Sequence, residues 1–262
     1  MSTEENNKEA LPKKIALIKL EFMQAKDFDL PALLEKYRID NRSGVASICR
    51  LYSQKLKDLQ EEKERLASLR RYENQYSEYE YICGIDEVGR GPFAGPVVAC
   101  AVILPRNCDI LYINDSKQLS EKKREELYDE IISKAVTYGI GSVPPNQIDE
   151  MNILQATYEA MRKAIGNLSV KPDILLNDAV TIPGVDIKQV PIIKGDAKSI
   201  SIAAASIVAK VTRDRLMVAY DQVFPGYDFA NNKGYGSAKH IEAIKRLGLT
   251  LIHRRSFVKN FI

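Results

Sequence analysis

Near Tyr79 the 262-residue sequence changes rhythm. Over 43–72 there is no proline and a single glycine, Gly44, which leaves helix as the only long regular structure open to that stretch. Beyond it come short runs rich in β-branched and apolar residues, separated by stretches with helical periodicity. Strands that alternate with helices call for a sheet covered by helices, so the fold class predicted is α/β with a mixed central sheet. The organisation predicted is a helical N-terminal extension over 1–75 and one larger domain over 76–262, ending in a helical segment from about residue 221.

Strand candidates are 81–86, 97–104, 136–143, 174–177 and 190–193, and the glycine-rich turn 89–96 between the first two suits an antiparallel pair. Helices are predicted over 120–134, capped by Ser120, over 152–165, with Asn152 and Gln155 as a capping box, over 201–220 and over 238–247. Ala203, Ala204 and Ala205 carry little bulk, which lets the third of these lie close to a sheet. In the extension, Asp29 is a candidate cap ahead of Pro31. Val45, Cys49, Tyr52, Leu56, Leu59 and Leu66 form a heptad seam interrupted at Lys63. That seam is expected to pack on Ile15, Leu17, Ile18, Leu20, Phe22 and Met23 within the chain, in preference to pairing with a second copy as a coiled coil.

Where the rhythm changes, two adjacent acids, Asp86 and Glu87, stand between an apolar run and a turn rich in glycine. Adjacent residues of a strand point to opposite faces, so both serve one site only where pairing stops. Carboxylates in so apolar a setting need a cation, a hydrogen bond or a proton. Asp178 follows the apolar run 174–177, and Asp196 follows 191–195. If those strands lie beside the first, four carboxylates converge at one edge of the sheet. Taken singly, an acid at a strand end is a turn former or a cap more often than a ligand. Together, with water and phosphate oxygens, the four suit Mg²⁺ or Mn²⁺. A pair of such ions about 3.5 to 4 Å apart fits an in-line phosphoryl displacement.

Other chemistries find less support. Cys49, Cys83, Cys100 and Cys108 show no Cys-x-x-Cys spacing, and with only two histidines, His240 and His253, a zinc cluster is not indicated. The cysteines are expected to be reduced and structural, and the histidines to make structural hydrogen bonds. No Gly-x-Ser-x-Gly elbow supports a serine triad. No apolar run approaches the roughly 20 residues that span a bilayer, and the first residues lack an apolar leader, so a cytoplasmic, membrane-free protein is expected. From residue 194 onward 12 Lys or Arg stand against 5 Asp or Glu, compatible with a polyanionic partner.

Several separate motifs then agree. Gly84-Ile-Asp-Glu-Val-Gly-Arg-Gly-Pro-Phe-Ala-Gly-Pro96, Asp115-Ser-Lys117, Lys194-Gly-Asp-Ala-Lys-Ser199 running into Ser201-Ile-Ala-Ala-Ala-Ser206, Ala209-Lys-Val-Thr-Arg-Asp-Arg215, Lys233-Gly-Tyr-Gly236 and His253-Arg254 occur in this order. In these, residues 81–257 resemble the type 2 ribonucleases H, the bacterial ribonuclease HII family. Type 3 enzymes share an Asp-Glu pair but usually carry Gly-Lys-Gly where this chain has Gly89-Arg90-Gly91. Two departures are small: Asn177 stands where an apolar residue is common, and Asn232 where many members have His.

The resemblance implies a ribonuclease H-like fold. It carries metal binding and catalysis onto Asp86, Glu87, Asp178 and Asp196, with Asp196 free to leave the inner shell during turnover. It also implies a ribose-reading role for Gly89, Arg90 and Gly91, whose backbone can approach a 2′-hydroxyl closely. Tyr235 is then expected to stack on the deoxyribose that follows the scissile junction, and Lys117, Lys198 and Lys233 to contact phosphates. The activity implied is endonucleolytic hydrolysis of RNA in RNA/DNA hybrids and of duplex DNA containing ribonucleotides. The cut falls on the 5′ side of a ribonucleotide and leaves 3′-hydroxyl and 5′-phosphate ends, with two Mg²⁺ or Mn²⁺ ions in a monomeric enzyme. The rival readings are a non-catalytic nucleic-acid binding module on the same scaffold, and a metal-free hydrolase using a carboxylate pair as acid and base.

Overall fold

The computed structural model describes residues 13–261. Expectations resting on the first twelve residues, the start of the helical extension and the lack of an apolar leader, lie outside the described residues. The chain forms two compact units, Met1–Arg65 and Leu66–Ile262.

In the first unit, α1 (Ile15–Gln24), α2 (Leu30–Tyr37) and α3 (Ser43–Leu69, which continues past the division) enclose a small core. Ile18, Phe22, Leu30, Tyr37, Val45 and Ile48 are buried there, with Cys49, Tyr52 and Leu56 of the heptad seam packed against them. The expected apolar face of α1 is narrower than predicted. A helix buries one stripe, so Ile18 and Phe22, four apart, face inward while Ile15, Leu17, Leu20 and Met23 stay exposed. Asp29 precedes α2 but its side chain makes no capping hydrogen bond, because its backbone already has helical angles, φ −86° and ψ −19°.

The second unit opens with Leu66 and Leu69, which enter its core, and α4 (Arg71–Gln75). Then follow β1 (Ile82–Val88), β2 (Val97–Ile103), α5 (Glu121–Lys134), β3 (Thr137–Val143), α6 (Pro145–Met151), α7 (Ile153–Gly166), β4 (Ile174–Asp178), β5 (Lys188–Ile192), a 3₁₀ turn (Gly195–Ala197), α8 (Ile200–Val223), α9 (Phe229–Asn232), α10 (Ala238–Leu247) and α11 (Arg255–Val258). The strands make one five-stranded sheet in the order β3-β2-β1-β4-β5. β1 pairs antiparallel with β2 and parallel with β4, so it lies at the centre of a mixed sheet.

One face of the sheet packs on α8 and α5 through Cys100, Val102, Leu127, Ile131 and the buried residues of α8; the other packs on α7 through Ile85, Val97, Ala160 and Met161. Ala203, Ala204 and Ala205 are fully buried as expected, but the closest approach depends on β1 itself. A side-chain carbon at Gly84 would overlap the backbone of Ser201, so only glycine lets α8 come this near. Ser120 caps α5 by accepting from Lys123 N (3.2 Å), and Asn152 accepts from Leu154 N and Gln155 N to start α7. α6 was not foreseen, although Pro145 at its first turn is a start signal.

Among the described residues the cysteines are all free, with Cys83, Cys100 and Cys108 buried. No helix among them is long and apolar enough to cross a membrane.

Candidate active site

β1 outruns its parallel partner. Its last register pair with β4 is Ile85 with Asn177, whereas its antiparallel pairing with β2 continues to Val88. Asp86 and Asp178 therefore stand at one level on adjacent strands, one step beyond that pair and on the same face of the sheet. Glu87 points to the other face, and reaches the same region because nothing on the β4 side pairs with it. Asp196 arrives from the 3₁₀ turn after β5, and that turn is tied to Asp178: Gly195 N donates to Asp178 Oδ1 at 2.7 Å.

The electrostatics match this crowding. Burial, then the charges of Glu87 and Asp178, push the Asp86 carboxyl well above its ordinary range, against hydrogen bonds from Ser206 and from Glu87 N. Glu87 is raised by burial and by Asp178, with Arg90, 3.3 Å away, partly opposing the rise. Asp196 is raised by burial and by Asp115 and Asp178, partly offset by Lys117, whose Nζ lies 4.0 Å from Asp196 Oδ2. Buried carboxylates that raise one another's pKa are short of positive charge.

As their side chains stand, no three Asp, Glu, His or Cys residues among the described residues close around one point at ligand distance. The donor set still fits a hard divalent cation. It offers only carboxylate oxygens, buried at Asp86 and Asp196 and half-buried at Glu87 and Asp178, and such a cation relieves their repulsion more effectively than the single protein cations nearby.

The glycine turn sits beside the acids. Gly89 is buried with φ +86°, and a side chain there would collide with Arg213. A methyl group added at Gly91 would lie 3.8 Å from Cε1 of Tyr235, so the turn and the half-exposed tyrosine ring are neighbours. The three lysines differ. Lys117 is exposed beside Asp196, and Lys198 is exposed just after the 3₁₀ turn. Lys233 is turned away, its Nζ donating to the Ala230 carbonyl and its own carbonyl accepting from Arg213.

Some contributors stand in the sequence motifs without any role that their residue types alone declare. Asp115 adds a fifth acid near Asp196. Ser116 and Ser206, 2.9 Å apart, link its loop to Asp86. Arg213 and Arg254 are fully buried under the glycine turn and bond its carbonyls. Asn177 is explained by its partner: its amide donates to Gln189 Oε1 at 2.8 Å, and Gln189 in turn holds the backbone of Ile182 and Val185. His240 and His253 are buried in a hydrogen-bonded pair, the structural role expected of them.

A mixed sheet in this strand order, with acids at the end of its central parallel pair and helices on both faces, has the architecture of the ribonucleases H. The crystal structure of ribonuclease H2 from Pyrococcus horikoshii OT3 is similar, with 30% identity and a TM-score of 0.58, over 69% of this chain and 96% of that one. Bst-RNase HIII in complex with Mn²⁺, 18% identical with a TM-score of 0.52 over 68% of this chain and 67% of that one, shares the fold. Within that class the sequence is more specific. The Ribonuclease HII family model matches residues 83–260, and the Ribonuclease HII N-terminal domain model matches 14–77. Ribonuclease HII of Lachnoclostridium phytofermentans is 68% identical over 226 residues, 86% of this chain and 89% of that protein. The chain belongs to the ribonuclease HII family, and is thus an endonuclease acting on RNA/DNA hybrids.

Proposed function

We propose that this enzyme hydrolyses the RNA strand of RNA/DNA hybrids and also cuts duplex DNA on the 5′ side of an embedded ribonucleotide, leaving 3′-hydroxyl and 5′-phosphate ends. The observation that carries the reading is the alignment of Asp86 with Asp178 at the end of two parallel strands, with Glu87 and the Asp196 turn beside them.

Asp86, Glu87, Asp178 and Asp196 would hold divalent cations, Mg²⁺ or Mn²⁺, with two ions in the active complex. Bound there, such ions polarise the phosphoryl group and make water a nucleophile at neutral pH. Asp86 and Asp178 supply the fixed negative charge, with Asp86 braced by the Ser206 hydroxyl and Glu87 N. Asp196 sits on a short turn and is balanced by Lys117, which suits a ligand that shifts during turnover. Lys117 and Lys198 bring exposed ammonium groups to the rim of the site, where a phosphate passes. Lys233 reaches a phosphate only by leaving the Ala230 carbonyl.

Gly89, Arg90 and Gly91 read the ribose. The carbonyls of Gly89 and Arg90 are occupied by Arg254, while among the described residues the N–H groups of 89–91 donate to no protein acceptor, so they are available to a 2′-hydroxyl. Tyr235, beside Gly91, stacks on the deoxyribose that follows and leaves no room for a 2′-hydroxyl there.

The test is a DNA duplex carrying one ribonucleotide, incubated with Mg²⁺, Mn²⁺ or EDTA, with both ends mapped. Cleavage 5′ to the ribonucleotide, requiring the ion and giving a 5′-phosphate, is expected. A 2′,3′-cyclic phosphate product, or activity that survives EDTA, would overturn it, since either means attack without an ion-activated water.

A further inference from the structure

Two neighbouring residues of the C-terminal segment reach separately to the two parts of the proposed sugar-reading site. Arg254 is fully buried, yet it pairs with carbonyls and not with a carboxylate. Its Nε donates to Gly95 O (2.9 Å), Nη1 to Arg90 O (2.9 Å) and Nη2 to Gly89 O (2.5 Å), and its own N–H donates to Phe93 O (2.7 Å). One planar guanidinium thus fixes the peptide orientation at Gly89 and Arg90, turning their carbonyls inward.

His253 reaches the other part through His240. Thr250 N donates to His253 Nδ1 at 2.9 Å, and because a backbone N–H only donates, Nδ1 must be the acceptor. The ring proton of His253 then sits on Nε2 and is given to His240 Nε2, 3.0 Å away. His240 must carry its own proton on Nδ1, which donates to Tyr235 O at 2.8 Å. The chain from Thr250 through both imidazoles to the Tyr235 carbonyl has a single polarity. An added proton would set two N–H groups against each other.

Other contacts close the joint. Phe93 N and Ala94 N both donate to Gly234 O, Gly95 N donates to Ile252 O, and Arg213 Nη1 donates to Lys233 O. The glycine turn, the Tyr235 loop and residues 252–254 therefore meet in one buried block.

We infer that His253, acting through His240, and Arg254 are positioning residues that set the gap between the Gly89-Arg90-Gly91 turn and Tyr235, and with it the preference for a ribonucleotide followed by a deoxyribonucleotide. This rests on the sugar-reading role proposed above for that turn and that tyrosine.

The experiment compares kcat/KM on a duplex with one embedded ribonucleotide and on a uniform RNA/DNA hybrid, for wild type, Arg254→Lys, His240→Leu, His240→Asn and Tyr235→Ala. Each is assayed where near-UV circular dichroism shows it folded and where Mg²⁺ still raises its Tm as in wild type. A lysine keeps the charge of Arg254 but not its fork. The asparagine amide stands in for Nδ1 and keeps the bond to Tyr235 O, which leucine loses. Arg254→Lys and His240→Leu should lower the ratio of the two rates by on the order of 10- to 100-fold, the cost of small misplacements of a reading group, and His240→Asn should recover most of it. If Tyr235→Ala lowers the ratio but Arg254→Lys and His240→Leu do not, the bracing role is wrong while the sugar reading stands. If Tyr235→Ala itself leaves the ratio unchanged, the sugar reading fails and this inference fails with it. Should Arg254→Lys not fold, the His240 pair decides alone.

Discussion

Asp86 and Asp178 stand level on adjacent parallel strands, one residue past the last register pair of β1 with β4. That geometry places like charges together, and burial with the charges of Glu87 and Asp178 raises the Asp86 carboxyl well above its ordinary value. An acid whose folded pKa is raised costs stability at neutral pH. The folded state holds a proton that the unfolded chain has released, so stability falls as pH rises from the unfolded value through the folded one. Asp86→Asn removes that penalty. It should raise Tm at pH 7.5 in EDTA while lowering cleavage by more than roughly 100-fold, the loss produced even by changes outside a metal's immediate ligands. A melt and a cleavage assay on one preparation check both; a lower Tm would show that Asp86 is held by favourable contacts and is not strained by its neighbours.

The same repulsion makes an ion stabilising. Binding to the folded state alone at 100 times Kd adds about 2.7 kcal/mol. Melting in rising Mg²⁺ or Mn²⁺ should therefore show a saturable increase in Tm, and Asp178→Asn should reduce it, because Asp178 adds to the negative field at Asp86, Glu87 and Asp196. Equal increases in both proteins would place the ion elsewhere.

Much of this was legible in the sequence because local signals and the final fold agree. Apolar runs on either side of the 89–96 glycine turn gave β1 and β2, the apolar run 174–177 gave β4, and Ser120 and Asn152 gave two helix starts. The meeting of Asp86 with Asp178 was implied by the family resemblance but not legible in local pattern, since parallel strands are joined through a long crossover whose register leaves no local mark. Arg213 and Arg254 stand in recognisable motifs, but their role was hidden for another reason: arginine reads as a surface or phosphate-binding charge, and only the fold reveals that the carbonyls of the 89–96 turn need an inward donor. β5 begins at Lys188, ahead of the expected 190, because edge pairing with Ile174 and Leu175 extends it through residues with little apolar character.

Glu73 of α4 secures the start of α8. Its Oε1 accepts from Ser199 Oγ (2.5 Å) and Ser201 N (3.0 Å), while Oε2 is buried without a hydrogen-bond partner. Glu73→Ala should cost about 1 to 2 kcal/mol, the worth of a helix cap, and Glu73→Gln less, since the amide oxygen still accepts and no charge is buried. Urea denaturation measures both, and equal losses would mean that the charge matters more than the acceptor.

The imidazole pair predicts the acid limit of the fold. Burial, then the proximity of His240, lowers His253 from 6.5 to about 4, and burial lowers His240 as well. For a base with a depressed folded pKa, the unfolded chain takes up the proton first. Stability is intact above about 6.5 and is lost as pH falls from there towards about 4, by up to roughly 3 kcal/mol if His253 alone titrates. The raised carboxyls act in the opposite direction, so wild type alone does not isolate the effect. His253→Asn does, since asparagine does not titrate. Urea denaturation at pH 7.5 and 5.0 should show the gap between wild type and His253→Asn narrowing at the lower pH. A constant gap would mean that His253 takes up its proton equally in the folded and unfolded chain, and a widening gap that the pair is already protonated at neutral pH, which the donated Thr250 N–H on His253 Nδ1 opposes.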